Sequence, residues 1–135
     1  MMKKEFDMKT IGLIGIFEEI TRVGVKDCIF DENSIYFLVN DGCIGKAIGR
    51  NGINIKKLRQ KFQKQIKIFE YSKNSEKFAG NLVPNNNSVE IKNNKIYISV
   101  KSEDKGKIIG RNGENIKKIR ELLRRNSDIK ILEIK

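Results

Sequence analysis

The chain has 135 residues, with 28 Lys and Arg against 17 Asp and Glu, no histidine and two cysteines, for a net charge of +11. That balance suits a polyanion partner without specifying any sequence it would read. The lack of histidine excludes imidazole chemistry, and no apolar stretch approaches the length of a membrane span.

The first residues, Met1-Met2-Lys3-Lys4-Glu5-Phe6-Asp7, carry charge but no apolar run before Ile11, so no leader is expected and the protein is placed in the cytoplasm. Lys9 to Arg22 then predicts a helix. Leu13, Phe17 and Ile20 share a face with Ile16 beside them, Glu18 and Glu19 lie on the polar side, and Gly12 and Gly15 weaken the helix without breaking its pattern. Gly24 is expected to stop it. Val25 to Phe30 and Ser34 to Asn40 read as strands joined by the turn residues Asp31-Glu32-Asn33.

Next comes Gly45-Lys46-Ala47-Ile48-Gly49-Arg50-Asn51-Gly52, followed by Ile53-Asn54-Ile55-Lys56-Lys57-Leu58-Arg59-Gln60-Lys61-Phe62. The pattern predicts a short helical turn, a four-residue break and a second helix, with Ile55, Leu58 and Phe62 on one face and a basic opposite face. Ile66 to Phe69 makes a third strand, and Tyr71 to Ser75 is a linker. Asn74 or Ser75 can cap a short helix through about Leu82, which ends at Pro84 and Asn85-Asn86-Asn87. Val89 to Lys92 and Lys95 to Val100 are strands, the second alternating cleanly so that Ile96, Ile98 and Val100 point inward. By register with that strand, Ile35, Phe37 and Val39 are core.

The break and its flanks then recur. Gly106-Lys107-Ile108-Ile109-Gly110-Arg111-Asn112-Gly113 is followed by Glu114-Asn115-Ile116-Lys117-Lys118-Ile119-Arg120-Glu121-Leu122-Leu123, and a last strand runs from Ile129 to Ile134. The shift that relates the copies also places Phe78 on Phe17 and Tyr97 on Tyr36. The chain is therefore read as two domains, residues 1–71 and 72–135, each near the size at which a lone domain is only marginally stable. With so short a linker the halves are expected to pack in a fixed orientation, their loops forming one basic track.

Glycine at both ends of the break permits positive φ and close approach of another backbone, and the next helix is expected to open with free N–H groups. Such a corner suits a phosphate. Arg50 and Arg111 add forks of donors, Asn51 and Asn112 adaptable ones, and Lys56, Lys57 and Arg59 with Lys117, Lys118 and Arg120 extend the charge. The plainer alternative is a bend with a solvated basic face. Its repetition with Arg-Asn between the glycines, and Lys-Lys just downstream, favours a nucleic-acid backbone.

Ile-Gly-Arg-Asn-Gly followed by Asn-Ile-Lys-Lys, in both copies, resembles the Gly-x-x-Gly signature of the KH domain, a module that binds RNA and single-stranded DNA. The tandem arrangement resembles the archaeal NusA-like transcription termination factors across nearly the whole chain. That resemblance implies an α+β fold of two type II KH domains, each a three-stranded sheet covered on one face by helices. It implies single-stranded RNA as ligand, with RNA polymerase or the transcription elongation complex as a further partner, and a monomer without cofactor or metal. The implied RNA-binding residues are Lys46, Ile48, Gly49, Arg50, Asn51, Gly52, Lys56 and Lys57, and Lys107, Ile109, Gly110, Arg111, Asn112, Gly113, Lys117 and Lys118. Ile48 and Ile109 are either groove lining or core, and for Ile55 and Ile116 core is expected. Bacterial NusA proteins carry a polymerase-binding domain and an S1 domain ahead of their KH pair, for which these residues leave no room. A clamp on ribosomal RNA, in a structural or assembly role, is the alternative of a different class.

Catalysis finds no support in the residues. Gly45-Lys46 and Gly106-Lys107 lack the Ser or Thr that would hold magnesium and the earlier glycine of a nucleotide phosphate loop. Asp31-Glu32, Glu18-Glu19 and Glu103-Asp104 are assigned to a turn, a helix surface and a linker, so no carboxylate pair is assembled for acid–base work. Cys28 and Cys43 are too far apart in sequence for a Cys-x-x-Cys site and are expected to be buried free thiols.

Overall fold

A computed structural model describes residues 6–135, and the charged start of the chain, residues 1–5, lies outside the described residues. The chain divides into two compact units, one ending at Tyr71 and the other beginning at Ser72.

In the first unit, α1 (Met8–Thr21) leads into β1 (Val25–Phe30) and β2 (Ser34–Val39), then α2 (Ile44–Ile48), α3 (Ile53–Phe62) and β3 (Gln65–Glu70). The sheet order is β1-β2-β3, with β1 and β2 antiparallel and β2 and β3 parallel. Parallel pairing needs a crossover, and α2, the corner and α3 supply it. Asp7 caps α1 by accepting the Thr10 N–H at 2.7 Å. The helix closes where the sequence places its end, but the stop is Arg22 and not Gly24: Arg22 turns left-handed (φ 61°) and its N–H reaches the Glu18 carbonyl. Glu18 is not merely solvated, since its carboxylate accepts the Val25 N–H at 2.9 Å and ties the end of α1 to the start of β1.

Ile35, Phe37 and Val39 join Phe17, Val23, Cys28, Ala47, Leu58 and Ile66 in one core, with Leu13, Ile20, Ile55 and Phe62 packed against it. Phe17 and Phe37 have ring centroids 4.2 Å apart. The alternate residues Tyr36 and Leu38 are buried as well, so β2 is covered on both faces. That accounts for its unbroken apolar sequence, where one-sided burial would have left polar residues at every second position. Tyr36 stacks on Phe69, and the Lys67 ammonium lies 5.4 Å from the Tyr36 ring centroid.

The second unit repeats the order with α4 (Ser75–Leu82), β4 (Ser88–Lys92), β5 (Lys95–Ser99), α5 (Ser102–Ile109), α6 (Glu114–Asn126) and β6 (Ile131–Ile134). Its sheet runs β4-β5-β6, antiparallel then parallel. Asn74 is the cap of α4, accepting the Lys77 N–H at 2.8 Å. Ile96, Ile98, Val100, Ile116, Ile119, Leu122, Leu123 and Leu132 are all buried. Both units are thus α+β, a three-stranded sheet with helices on its core face.

Two expectations need correction here. Glu103 and Asp104 are not in a linker: α5 begins at Ser102, and the two acids occupy its first turn, where they complement the positive end of the helix. Cys28 is buried, but Cys43 is only half-buried because it lies in the turn that opens α2. Neither cysteine is in a disulfide.

Candidate nucleic-acid interface

Each repeat forms the same corner. Gly49 ends α2, donating its N–H to the Gly45 carbonyl at 3.0 Å, and takes φ 81° and ψ 165°. Arg50–Gly52 make a tight 3-10 turn in which Asn51 (φ 53°) and Gly52 (φ 71°) are both left-handed. Gly110, Asn112 and Gly113 reproduce this at φ 76°, 56° and 72°. Asparagine is among the few residues other than glycine that take this conformation readily, so Asn51 and Asn112 serve the turn as well as carrying donors.

The glycines differ in what they permit. A Cβ on Gly49 would lie 2.9 Å from the Asn54 side-chain nitrogen and 3.0 Å from its backbone nitrogen, and one on Gly110 would lie 2.6 Å from the Asn115 Cβ. The first glycine of each corner lets the second helix begin against it. Gly113 has open space around a Cβ and is held only by its φ.

Asn54 and Asn115 stitch the corner from the other side. Asn54 Nδ2 donates to the Lys46 carbonyl at 3.1 Å, and Asn115 Nδ2 to the Ile108 carbonyl at 2.7 Å. Neither was assigned a role from sequence, although both stand in the shared Asn-Ile-Lys-Lys run. The expectation of free N–H groups at the helix start needs a correction. The Gly52 N–H bonds the Gly49 carbonyl and the Ile53 N–H the Arg50 carbonyl, with the same pair at Gly113 and Glu114. Those two amides of each corner are spent on the turn, and the exposed side chains add donors beside it.

All but one of the exposed donor side chains at the corners make no ion pair. Lys46, Arg50, Asn51, Lys56, Lys57, Lys107, Arg111, Asn112 and Lys117 are exposed, and among them only Lys117 has an ion pair, with Glu114 at 3.7 Å. The copies diverge downstream. Arg59 is exposed on α3, whereas Arg120 is half-buried with its Nε donating to the Leu132 carbonyl of β6 at 3.1 Å, and Lys118 is half-buried. Arg120 therefore does not extend the basic face as expected; it ties α6 to the sheet. Ile48 is half-buried and Ile109 is 43% exposed beside its loop, while Ile55 packs on the core and Ile116 is buried. Away from the corners, Lys9, Lys26, Lys67 and Lys135 sit over aromatic rings. Burial holds the Lys67 ammonium below its ordinary range, with Asp31 opposing the shift.

Among the described residues no group of Cys, Asp and Glu gathers as a metal site, and no helix is long and apolar enough to cross a membrane. Two α+β units, each with a Gly-x-x-Gly corner between helices and a donor-rich exposed loop, define a tandem KH-domain protein. The KH-domain family model matches residues 13–83 and 71–133. A protein of Methanocaldococcus jannaschii named "Probable transcription termination protein NusA" is 30% identical, covering 99% of this chain and 76% of that protein. Its namesake in Thermoplasma acidophilum is 30% identical over 96% of this chain and 94% of its own length, and that of Halococcus morrhuae is 31% identical over 90% and 91%. The crystal structure of APE1850 superposes with a TM-score of 0.73 at 36% identity, covering 96% of this chain and all of that one. The chain belongs to the archaeal NusA-like family of KH-domain proteins.

Proposed function

We propose that the protein binds single-stranded RNA through its two Gly-Arg-Asn-Gly corners and acts as a NusA-like factor in transcription termination or antitermination. The observation that carries this reading is the repeated corner itself. Two turns, each closed by two internal amide hydrogen bonds, leave Arg50, Asn51, Arg111 and Asn112 exposed to solvent. A fold gains little from exposed, unpaired cations in a constrained turn, whereas a phosphodiester backbone crossing it meets a planar donor fork and a lysine on each flank. Single strands are favoured over duplex because splayed bases can lie against the apolar Ile48 or Ile109 beside each loop, while an A-form duplex hides its base edges. The chemistry is binding, with no bond made or broken; the name of the relatives, a probable transcription termination protein, supports a role in termination, and the partner we propose for it is RNA polymerase in the transcription elongation complex.

Two measurements test this. Titration with single-stranded and duplex RNA of one sequence is expected to favour the single strand, and affinity purification from cells is expected to recover RNA polymerase. Equal affinity for both RNAs would overturn the binding mode. Recovery with ribosomal particles and not polymerase would overturn the transcription role.

A further inference from the structure

The two corners share a backbone conformation and differ in charge, and beside the loop itself the difference falls at one position. Ile53 follows the first Gly-Arg-Asn-Gly, is 49% exposed and opens α3. Its counterpart Glu114 opens α6, its N–H bonded to the Arg111 carbonyl, so a carboxylate stands within one turn of the loop arginine. That carboxylate also engages the exposed Lys117 at 3.7 Å. Independently, Lys118 is half-buried and Arg120 is turned to the Leu132 carbonyl, where their counterparts Lys57 and Arg59 are exposed. Around the first corner the exposed cations are Lys46, Arg50, Lys56, Lys57 and Arg59; around the second they are Lys107, Arg111 and the paired Lys117.

We propose that the two corners are unequal clamps, with the first carrying most of the phosphate binding and Glu114 holding the second to a weaker grip. This rests on the reading of the corners as RNA clamps. A carboxylate beside the loop repels the backbone that Arg111 attracts, competes for Lys117, and already answers the positive end of α6 that a phosphate would otherwise meet. The first unit therefore holds RNA the more tightly, and the second adds a weaker contact centred on Arg111.

The test compares full-length variants by titration with a single-stranded RNA long enough to span both units. Arg50→Asp with Asn51→Asp is expected to weaken binding at least about tenfold more than Arg111→Asp with Asn112→Asp. Glu114→Gln, which removes the charge and keeps the shape, is expected to strengthen binding about threefold to fivefold at low salt, the scale of one like-charge contact near solvent. It should also steepen the salt dependence by about 0.7, one further phosphate on a single strand. The reciprocal Ile53→Glu is expected to weaken binding by a similar factor, which keeps the test open if Glu114→Gln disturbs folding. Equal losses from the two loop variants overturn the inequality of the clamps. Binding by Glu114→Gln and Ile53→Glu within twofold of the unaltered protein overturns the role of that position. If neither loop variant changes RNA binding, the corners are not clamps at all, and it is the functional reading that fails.

Discussion

Gly110→Ala and Gly113→Ala alter the two glycines of one turn and should have very different consequences. Gly110 sits at φ 76° and ψ 173°, a region essentially reserved for glycine, and an alanine held there costs about 1–3 kcal/mol. Its Cβ would also lie 2.6 Å from the Asn115 Cβ and 3.0 Å from the Asn115 nitrogen, so the first turn of α6 must move away from the corner. Forced repacking of that kind adds about 1–3 kcal/mol, for a total of roughly 2–6 kcal/mol. Gly113, at φ 72° and ψ 13°, meets nothing within 4 Å, so its alanine bears only the left-handed cost of about 1–2 kcal/mol, partly offset by a stiffer unfolded chain. Urea denaturation followed by far-ultraviolet circular dichroism should therefore separate the two by about 2 kcal/mol or more, and a melt by roughly 8 °C or more for a unit of this size. Equal destabilisation, or a Gly110→Ala variant within about 1 kcal/mol of the parent, would refute the close approach of α6 to the corner.

Asn115→Ala removes the bond to the Ile108 carbonyl and is expected to cost about 1 kcal/mol in the same denaturation assay, with a larger proportional loss of RNA affinity because the corner is no longer pinned. Asn74→Ala deletes the cap of α4 and should destabilise by about 1 kcal/mol while leaving RNA binding within twofold. The hydrogen bonds from Thr10 hold the Asp7 carboxyl below its ordinary range, so its stabilising effect is complete above the unfolded value and lost as pH falls through the folded one. Asp7→Asn, which keeps an acceptor, should therefore lose less melting temperature than the parent between about pH 5 and about pH 3.

The repeat made most of the fold legible. Because two copies share a register, the clean alternation of Lys95 to Val100 identified the core face of a strand that is apolar throughout, and Ile55, Leu58 and Phe62 could be read together with Ile116, Ile119 and Leu123. What escaped was set by contacts distant in sequence or by backbone choices that residue type does not force. Arg22 adopts a left-handed cap that glycine would have signalled. The start of α5 was missed because Ser102 to Lys105 carries no apolar residue, and only its acids mark a helix opening. Burial of Tyr36 and Leu38 on the second face of β2 had no signal beyond the unbroken apolar run. At the site, the arginine and asparagine of each loop were legible from chemistry, since donors between glycines suit a phosphate. The diversion of Arg120 to a β6 carbonyl was not, because helical spacing alone placed it with the lysines.

The most direct test of the central claim is the variant in which Arg50, Asn51, Arg111 and Asn112 are all aspartate, titrated with single-stranded RNA across a range of salt. The substituted side chains are exposed, so its melting temperature should stay close to that of the parent. Parent binding is expected to fall with salt at a slope near −3 to −4, about four to six phosphate contacts at roughly −0.7 each, while the variant should bind too weakly to saturate. A variant that melts with the parent and still binds the RNA within about twofold, under 0.5 kcal/mol, would mean that the Gly-Arg-Asn-Gly corners are bends in the chain and not the place where it holds RNA.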